Sequence, residues 1–128
     1  MDTPQAVTVL VVEDNVDVLD FVRDVLESAG YRVLTATTAA EAIALSAADP
    51  GAIHLLLTDL VLSDLRGQAL ASRLRATRPQ IRILYISGYP QEVVRTDREG
   101  ALDGPLLMKP FLIAELEQVV REVLGDAS

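Results

Sequence analysis

The sequence predicts an α/β fold in which one parallel, five-stranded sheet is covered by five helices on its two faces. Short apolar runs alternate along the chain with stretches of helical periodicity, and this alternation favours parallel strands joined by right-handed crossovers. The run at residues 53–57 is too short for a core helix and is typical of a strand buried on both faces. No linker, repeat or low-complexity tract interrupts the pattern.

Each strand is predicted from a short apolar run. The runs span residues 7–12, 31–35, 53–57, 81–86 and 106–108. Between the last two strands, a helix is expected at residues 91–98, although the interior of this segment is mostly polar. It is the fourth of the five predicted helices.

The other helices are predicted from apolar spacing and from the residues that start and end them. The apolar positions of the first, third and fifth helices are Val18, Leu19, Val22, Val25, Leu26 and Ala29; Leu70, Ala71 and Leu74; and Leu112, Leu116, Val119, Val120 and Val123. Asn15 or Asp14 caps the first helix, and Gly30 ends it. Thr38 and Glu41 form a capping-box pattern that opens an alanine-rich second helix.

Composition narrows the classes of function. A chain of 128 residues is expected to form a single domain, with a core from about residue 7 to 124 and no output domain. The net charge of −8 disfavours a nucleic-acid surface, and the absence of cysteine excludes disulfides and thiolate metal sites. There is no apolar signal core and no run long enough to span a bilayer. We therefore expect a cytoplasmic domain without membrane contact.

Polar side chains end four of the predicted strands. Glu13 and Asp14 follow the first strand, and Asp59 follows the third. Ser87 follows the fourth strand and Lys109 the fifth. Because the carboxyl ends of parallel strands meet at one edge of a sheet, we expect these side chains to converge. Each alone is typical of a turn, a helix cap or a solvated residue, but their combination indicates a functional site.

Clustered carboxylates at this edge need a compensating charge. Two unit charges about 4 Å apart repel by roughly 4 kcal/mol at an effective dielectric constant of about 20. A hard cation relieves this repulsion, and a set of oxygen donors suits Mg²⁺. A carboxylate beside Mg²⁺ and an ammonium group is placed to attack a phosphoryl group, and the Ser87 hydroxyl can donate a hydrogen bond to a phosphoryl oxygen. By contrast, His54, Phe21, Tyr31 and Tyr85 are expected to be structural.

These motifs resemble the receiver domain of two-component response regulators. The segments that carry the resemblance are Glu13-Asp14, Asp59 with Asp64-Leu65-Arg66-Gly67, Ser87-Gly88, and Lys109-Pro110-Phe111. The match extends over residues 7–124. The residues around Ser87 and those at 106–111 are most similar to receivers attached to hybrid histidine kinases, although a free-standing regulator would look almost the same.

The resemblance implies a doubly wound, flavodoxin-like sheet with strand order 2-1-3-4-5. It implies that Asp59 takes a phosphoryl group from a histidine kinase or a histidine phosphotransfer domain. Asp14, Asp59 and the backbone carbonyl of Val61 would bind Mg²⁺ directly, with Glu13 assisting through water. The phosphoryl group would be contacted by Lys109 and Ser87, and a cis peptide bond would join Lys109 to Pro110.

The resemblance further implies a signalling switch that catalyses its own phosphorylation and slow autodephosphorylation, and it leaves open a dimer that forms on phosphorylation. Leu106 stands where many receivers carry a switch tyrosine or phenylalanine, which argues against signalling by an aromatic flip. Ser63 replaces a common proline, and Ser87 replaces the more frequent threonine.

Three alternative functions compete with this interpretation. A flavin module on the same fold is disfavoured because the acids after the first strand would repel a phosphate. A phosphatase would need an Asp-x-Asp pair, whereas Asp59 precedes Leu60 and Val61. A degenerate receiver that only binds proteins remains an alternative, although every phosphorylation residue is retained.

Overall fold

A computed structural model describes residues 7–88 and 104–125 of the chain. Within them, five parallel strands form one sheet in the order β2-β1-β3-β4-β5, which confirms the predicted order. The strands are β1 (Thr8–Val12), β2 (Arg32–Ala36), β3 (Leu55–Asp59), β4 (Arg82–Ser87) and β5 (Leu106–Met108). The central strand, β3, lies between β1 and β4.

Four helices lie among the described residues. They are α1 (Val16–Ser28), α2 (Ala39–Ala48), α3 (Gly67–Thr77) and α4 (Ile113–Leu124). The helix expected at residues 91–98 falls outside the described part of the chain. Within residues 7–88 and 104–125, none of the helices combines the length and the apolar character that crossing a bilayer requires.

Alternation along the strands divides the core into two layers. Val9 and Val11 of β1 face the layer formed with α1 and α4, whereas Leu10 and Val12 face the layer formed with α2 and α3. All four side chains are completely buried. Each fully buried aliphatic side chain stabilises the fold by about 1.5–3 kcal/mol relative to an exposed one. Among residues 7–88 and 104–125, the helices cover both faces of the sheet and leave its rims open for a site.

Local capping largely follows the sequence prediction. Asn15, rather than Asp14, caps α1, because its Oδ1 accepts hydrogen bonds from the backbone N–H groups of the first turn at 3.0 and 3.2 Å. Thr38 caps α2 through its Oγ1, which accepts from Glu41 N at 3.1 Å. The second half of the predicted capping box is wrong, because Glu41 Oε1 accepts from Thr37 N at 2.7 Å and not from Thr38 N.

Three further predictions need correction. The third strand begins at Leu55 and not at residue 53, and the Thr8 N–H next to its start donates to His54 Nδ1 at 3.0 Å. Asp59 is the last residue of β3 instead of following it, because it still pairs with Ile86 of β4. Leu112 is not part of the buried stripe of the last helix: it precedes α4 as its N-cap and is 70% exposed. Tyr85 is completely buried, as predicted.

Candidate functional site

The carboxyl ends of β1, β3, β4 and β5 surround a cleft of about 310 Å³. It is lined by Glu13, Asp14, Asn15, Asp59, Val61, Ser87 and Lys109. The structure thus brings together all six residues that the sequence and the resemblance placed in the site. Asn15 is an addition, because the sequence indicated only a capping role for it.

Asp59 is held at the centre of this rim by the strand that carries it. β3 is hydrogen-bonded on both sides, and Asp59 is in register with Ile86 of β4. Leu60 N, the next donor along the chain, donates to Ile86 O at 2.9 Å. These backbone bonds fix the Cα of Asp59, while 14% of its side chain remains exposed to the cleft.

Lys109 reaches across the cleft to two of the acids. Its Nζ lies 2.9 Å from Glu13 Oε2 and 3.2 Å from Asp59 Oδ2. Its backbone N–H donates to Ser87 O at 2.8 Å, which ties the ends of β5 and β4 together, and the bond to Pro110 is cis, as the resemblance implied. Burial lowers the pKa of Lys109, but the two carboxylates outweigh this effect and raise it.

Glu13 and Asp14 are adjacent in sequence but differ in environment. Glu13 is completely buried, whereas Asp14 is exposed and lies in a bend after β1. Glu13 Oε1 accepts the Asn15 N–H at 3.1 Å. Burial raises the pKa of Glu13 to about 7; the Asp59 carboxylate adds to this effect, and the Lys109 ammonium opposes it.

The acids fit a divalent cation. Glu13, Asp14 and Asp59 each offer one carboxylate oxygen, and these oxygens lie within 4.8 Å of one another. At that separation, two ionised carboxylates repel by roughly 3–4 kcal/mol at an effective dielectric constant of about 20. With all three ionised, one ammonium group leaves two negative charges uncompensated, and oxygen donors of this kind are the ligands that Mg²⁺ prefers.

The loop between β3 and α3 forms one wall of the cleft through Val61, which pairs with Arg66 in an antiparallel bridge. At the tip of this loop, Asp64 Oδ1 accepts from Ala39 N at 2.9 Å, and its Oδ2 accepts from Ala40 N at 3.0 Å. These two donors lower the pKa of Asp64. Sequence reasoning missed this contact, because its partners lie about 25 residues earlier and no local pattern indicates it.

Comparison with known proteins agrees with this geometry. Residues 9–121 match the model of a family described as the response regulator receiver domain. The chain belongs to this family. It is 31% identical to the sensor kinase CckA of Brucella abortus, in an alignment that covers 96% of this chain but 13% of CckA. It is also 31% identical to the response regulator receiver protein CpdR of the same organism, over 91% of this chain and 95% of CpdR.

Solved structures place this receiver in the same fold family. A response regulator receiver protein from Sinorhizobium medicae superposes with a TM-score of 0.82 at 30% identity, over 94% of this chain and 96% of that one. A CheY-like receiver domain protein from Methanospirillum hungatei gives 0.79 at 29% identity, over 95% and 96%. The fold is therefore the flavodoxin-like receiver fold, with the strand order expected for it.

Beside the cleft, this receiver has an apolar groove of about 500 Å³ that shares Lys109 with it. Phe21 of α1 and Phe111 line the groove, with ring centroids 6.2 Å apart. Phe21 is 39% exposed, so its predicted packing role is only partly fulfilled. Other large apolar side chains at the adjacent helix starts are also exposed, namely Val16, Leu112 and Ile113. Exposed apolar groups in such proximity are typical of a surface that binds another protein.

Proposed function

We propose that this chain is a phosphoacceptor receiver domain in which Asp59 takes a phosphoryl group from the phosphohistidine of a histidine kinase or a histidine phosphotransfer domain. The observation that carries the proposal is the placement of Asp59 at the end of the central strand, 3.2 Å from the Lys109 ammonium and in one cleft with two further acids. An acid cluster of this kind is costly for stability alone, which favours a role in phosphoryl chemistry.

In the proposed reaction, a carboxylate oxygen of Asp59 attacks the phosphorus atom and forms an acyl phosphate. The bond from phosphorus to the histidine nitrogen breaks, and the imidazole leaves. Lys109 offsets negative charge on the phosphoryl oxygens, and Ser87, which lines the same cleft, supplies its hydroxyl as a donor. Bound Mg²⁺ would be held by Asp14, Asp59 and the Val61 carbonyl, with Glu13 assisting through water, and would neutralise further charge.

The partner of this proposed reaction is a protein that presents a phosphohistidine. The apolar groove next to Lys109 supports this, because a donor protein that reaches Asp59 must cover the surface beside the cleft. Two of the similar proteins are kinases by name: CckA, and the sensor histidine kinase TmoS of Ectopseudomonas mendocina, which is 34% identical over 93% of this chain and 13% of TmoS. The chain spans a small part of these kinases but nearly the whole of CpdR, so we propose the receiver step alone and not an activity of a whole kinase.

Labelling with a small phosphodonor such as acetyl phosphate in the presence of Mg²⁺ tests the assignment. Wild type should gain one acid-stable, alkali-labile phosphoryl group, and Asp59→Asn should gain none. Asp24→Asn is the matched control, because Asp24 is an exposed carboxylate of α1, 71% accessible, that does not line the cleft. Labelling of Asp59→Asn equal to wild type would refute the acceptor. A folded wild type that takes no label from either a small donor or a kinase would favour the degenerate, protein-binding receiver.

A further inference from the structure

The tip of the β3–α3 loop is held by a contact with another helix. Asp64 accepts hydrogen bonds with both carboxylate oxygens from Ala39 N and Ala40 N, at 2.9 and 3.0 Å. These N–H groups belong to the first turn of α2, where no intrahelical acceptor is available. The negative charge is further favoured there by the helix dipole. The helix also has a local cap in Thr38, so Asp64 joins the loop to a helix end that is already capped.

Val61 lies between this tip and the base of the loop. At the base, Gly67 N donates to Leu60 O at 2.7 Å. On either side of Val61, Leu60 and Leu62 are buried in the layer under α2 and α3, with 1% and 5% exposure. Val61 itself is 38% exposed and lines the acidic cleft. The backbone of Val61 therefore lies between two fixed points. The base is held by a hydrogen bond within the loop, from Gly67 N to Leu60 O, and the tip is held by Asp64 through its bonds to the distant helix α2.

We propose that Asp64 is a positioning residue: by holding the loop tip against α2, it fixes the Val61 backbone at the acidic cleft and sets the affinity of that cleft for a divalent cation. This inference rests on the proposed function, because it gives the Val61 carbonyl a place among the oxygen donors. Mg²⁺ demands near-ideal octahedral geometry at about 2.0–2.1 Å, so a small displacement of one donor weakens binding.

Without the Asp64 carboxylate, the tip keeps the backbone bond from Leu62 N to Leu65 O at 3.2 Å and the packing of Leu62 and Leu65 against the layer under α2 and α3. That bond lies inside the loop and does not tie it to the sheet or to α2. Loss of Asp64 therefore removes the hydrogen bonds between the tip and α2, while the hydrogen bond at the base, from Gly67 N to Leu60 O, is retained. Residues that orient metal ligands typically change metal affinity by about 10–100-fold when they are replaced.

The experiment compares Asp64→Ala with Thr38→Ala. Both remove a cap from the N-terminus of α2, but only Asp64 belongs to the loop that carries Val61. Isothermal titration calorimetry gives the dissociation constant for Mg²⁺, and amide hydrogen exchange of Leu62 without Mg²⁺ reports on the loop itself. We expect Thr38→Ala to keep both values of wild type. Asp64→Ala should raise the dissociation constant by roughly tenfold and speed the exchange of Leu62.

Asp64→Asn keeps one acceptor oxygen and should recover part of the affinity, which also covers the case in which Asp64→Ala does not fold. Wild-type affinity in a folded Asp64→Asn and Asp64→Ala would overturn the proposal. An equal loss of affinity in Thr38→Ala would also overturn it, since the effect would then run through α2. A wild type that binds no Mg²⁺ would instead refute the proposed metal site. In that case, faster exchange of Leu62 in Asp64→Ala but not in Thr38→Ala would still show that Asp64 holds the loop.

Discussion

Replacement of Gly67 by alanine is expected to damage both the fold and the position of Asp59. An added Cβ would lie 2.2 Å from the Asp59 carbonyl oxygen, 3.2 Å from its carbonyl carbon and 3.3 Å from Leu60 Cα. All three are backbone atoms, so no flexible side chain can move away. To reach an ordinary contact distance, the start of α3 and the end of β3 must separate by roughly 1 Å.

The magnitude follows from the two interactions that this separation disturbs. Overpacking typically costs about 1–3 kcal/mol, and loss of the hydrogen bond from Gly67 N to Leu60 O adds about 1 kcal/mol. We expect Gly67→Ala to lower the free energy of unfolding by about 3 kcal/mol, which lowers Tm by roughly 10 °C in a chain of this size. A displacement of about 1 Å at a reacting group can cost on the order of 100-fold in rate, so phosphodonor labelling should fall by a similar factor.

Two glycines provide controls for this experiment. A Cβ at Gly104 would lie 2.5 Å from the Ile83 carbonyl oxygen, near the opposite end of β4, so Gly104→Ala should be destabilised without slower labelling of the folded fraction. A Cβ at Gly51 would meet only a side-chain oxygen, Asp49 Oδ1, at 3.2 Å, and Gly51→Ala should change little. Urea unfolding followed by circular dichroism gives the stabilities. Wild-type stability of Gly67→Ala, or destabilisation without loss of labelling, would contradict this reasoning.

Three more predictions concern the cleft and its groove. A concentration of Mg²⁺ about 100 times its dissociation constant should stabilise wild type by about 2.7 kcal/mol. In thermal melts, Asp14→Ala should lose most of this stabilisation. An equal stabilisation of the variant would show that Asp14 is not a ligand. Val61→Asn places an amide at the cleft that could orient an attacking water. If this adds one hydrogen bond of about 1 kcal/mol in the transition state, the release of phosphate should be roughly fivefold faster. An unchanged rate of release would show that Val61 does not shield the acyl phosphate. Phe21→Ser should slow transfer from a phosphorylated kinase by roughly 5–30-fold but leave acetyl phosphate labelling unchanged, and equal effects on both donors would exclude a docking role for the groove.

The positions of the site residues could be predicted because their signals are local. An apolar run that ends in Asp59, Ser87 or Lys109 places each residue at a strand end, and parallel pairing brings strand ends together whatever the distance in sequence. Lys109 and Asp59 are 50 residues apart and still meet at 3.2 Å. The strand order could not be predicted in this way, because hydrophobic periodicity does not determine which strands are neighbours. It was predicted from the resemblance to receiver domains.

The features that were missed depend on contacts between distant segments or on a choice between equal local patterns. Asp64 has no pattern with Ala39 or Ala40 in the sequence, so its contact with α2 could not be anticipated. Leu112 has the right spacing for the buried stripe, but the helix begins one residue later, and Leu112 N donates to Glu115 Oε1 at 2.8 Å. Likewise, no local pattern in the sequence distinguished Glu13 from Asp14, of which the structure buries the first and exposes the second.

The wall of the cleft next to Asp59 depends on both ends of one loop, and the two ends act on different atoms. At the base, the close contact of Gly67 with the Asp59 carbonyl fixes the end of β3. It thereby fixes the position of the Asp59 carboxylate, the proposed acceptor. At the tip, Asp64 fixes the segment that carries Val61. Disturbance of the base displaces Asp59, which is both the proposed acceptor and a proposed cation ligand, and should therefore slow labelling and weaken cation binding together, whereas disturbance of the tip should weaken cation affinity without displacing the acceptor. This difference allows the two anchors to be assigned by experiment, although only six residues lie between Leu60 and Gly67.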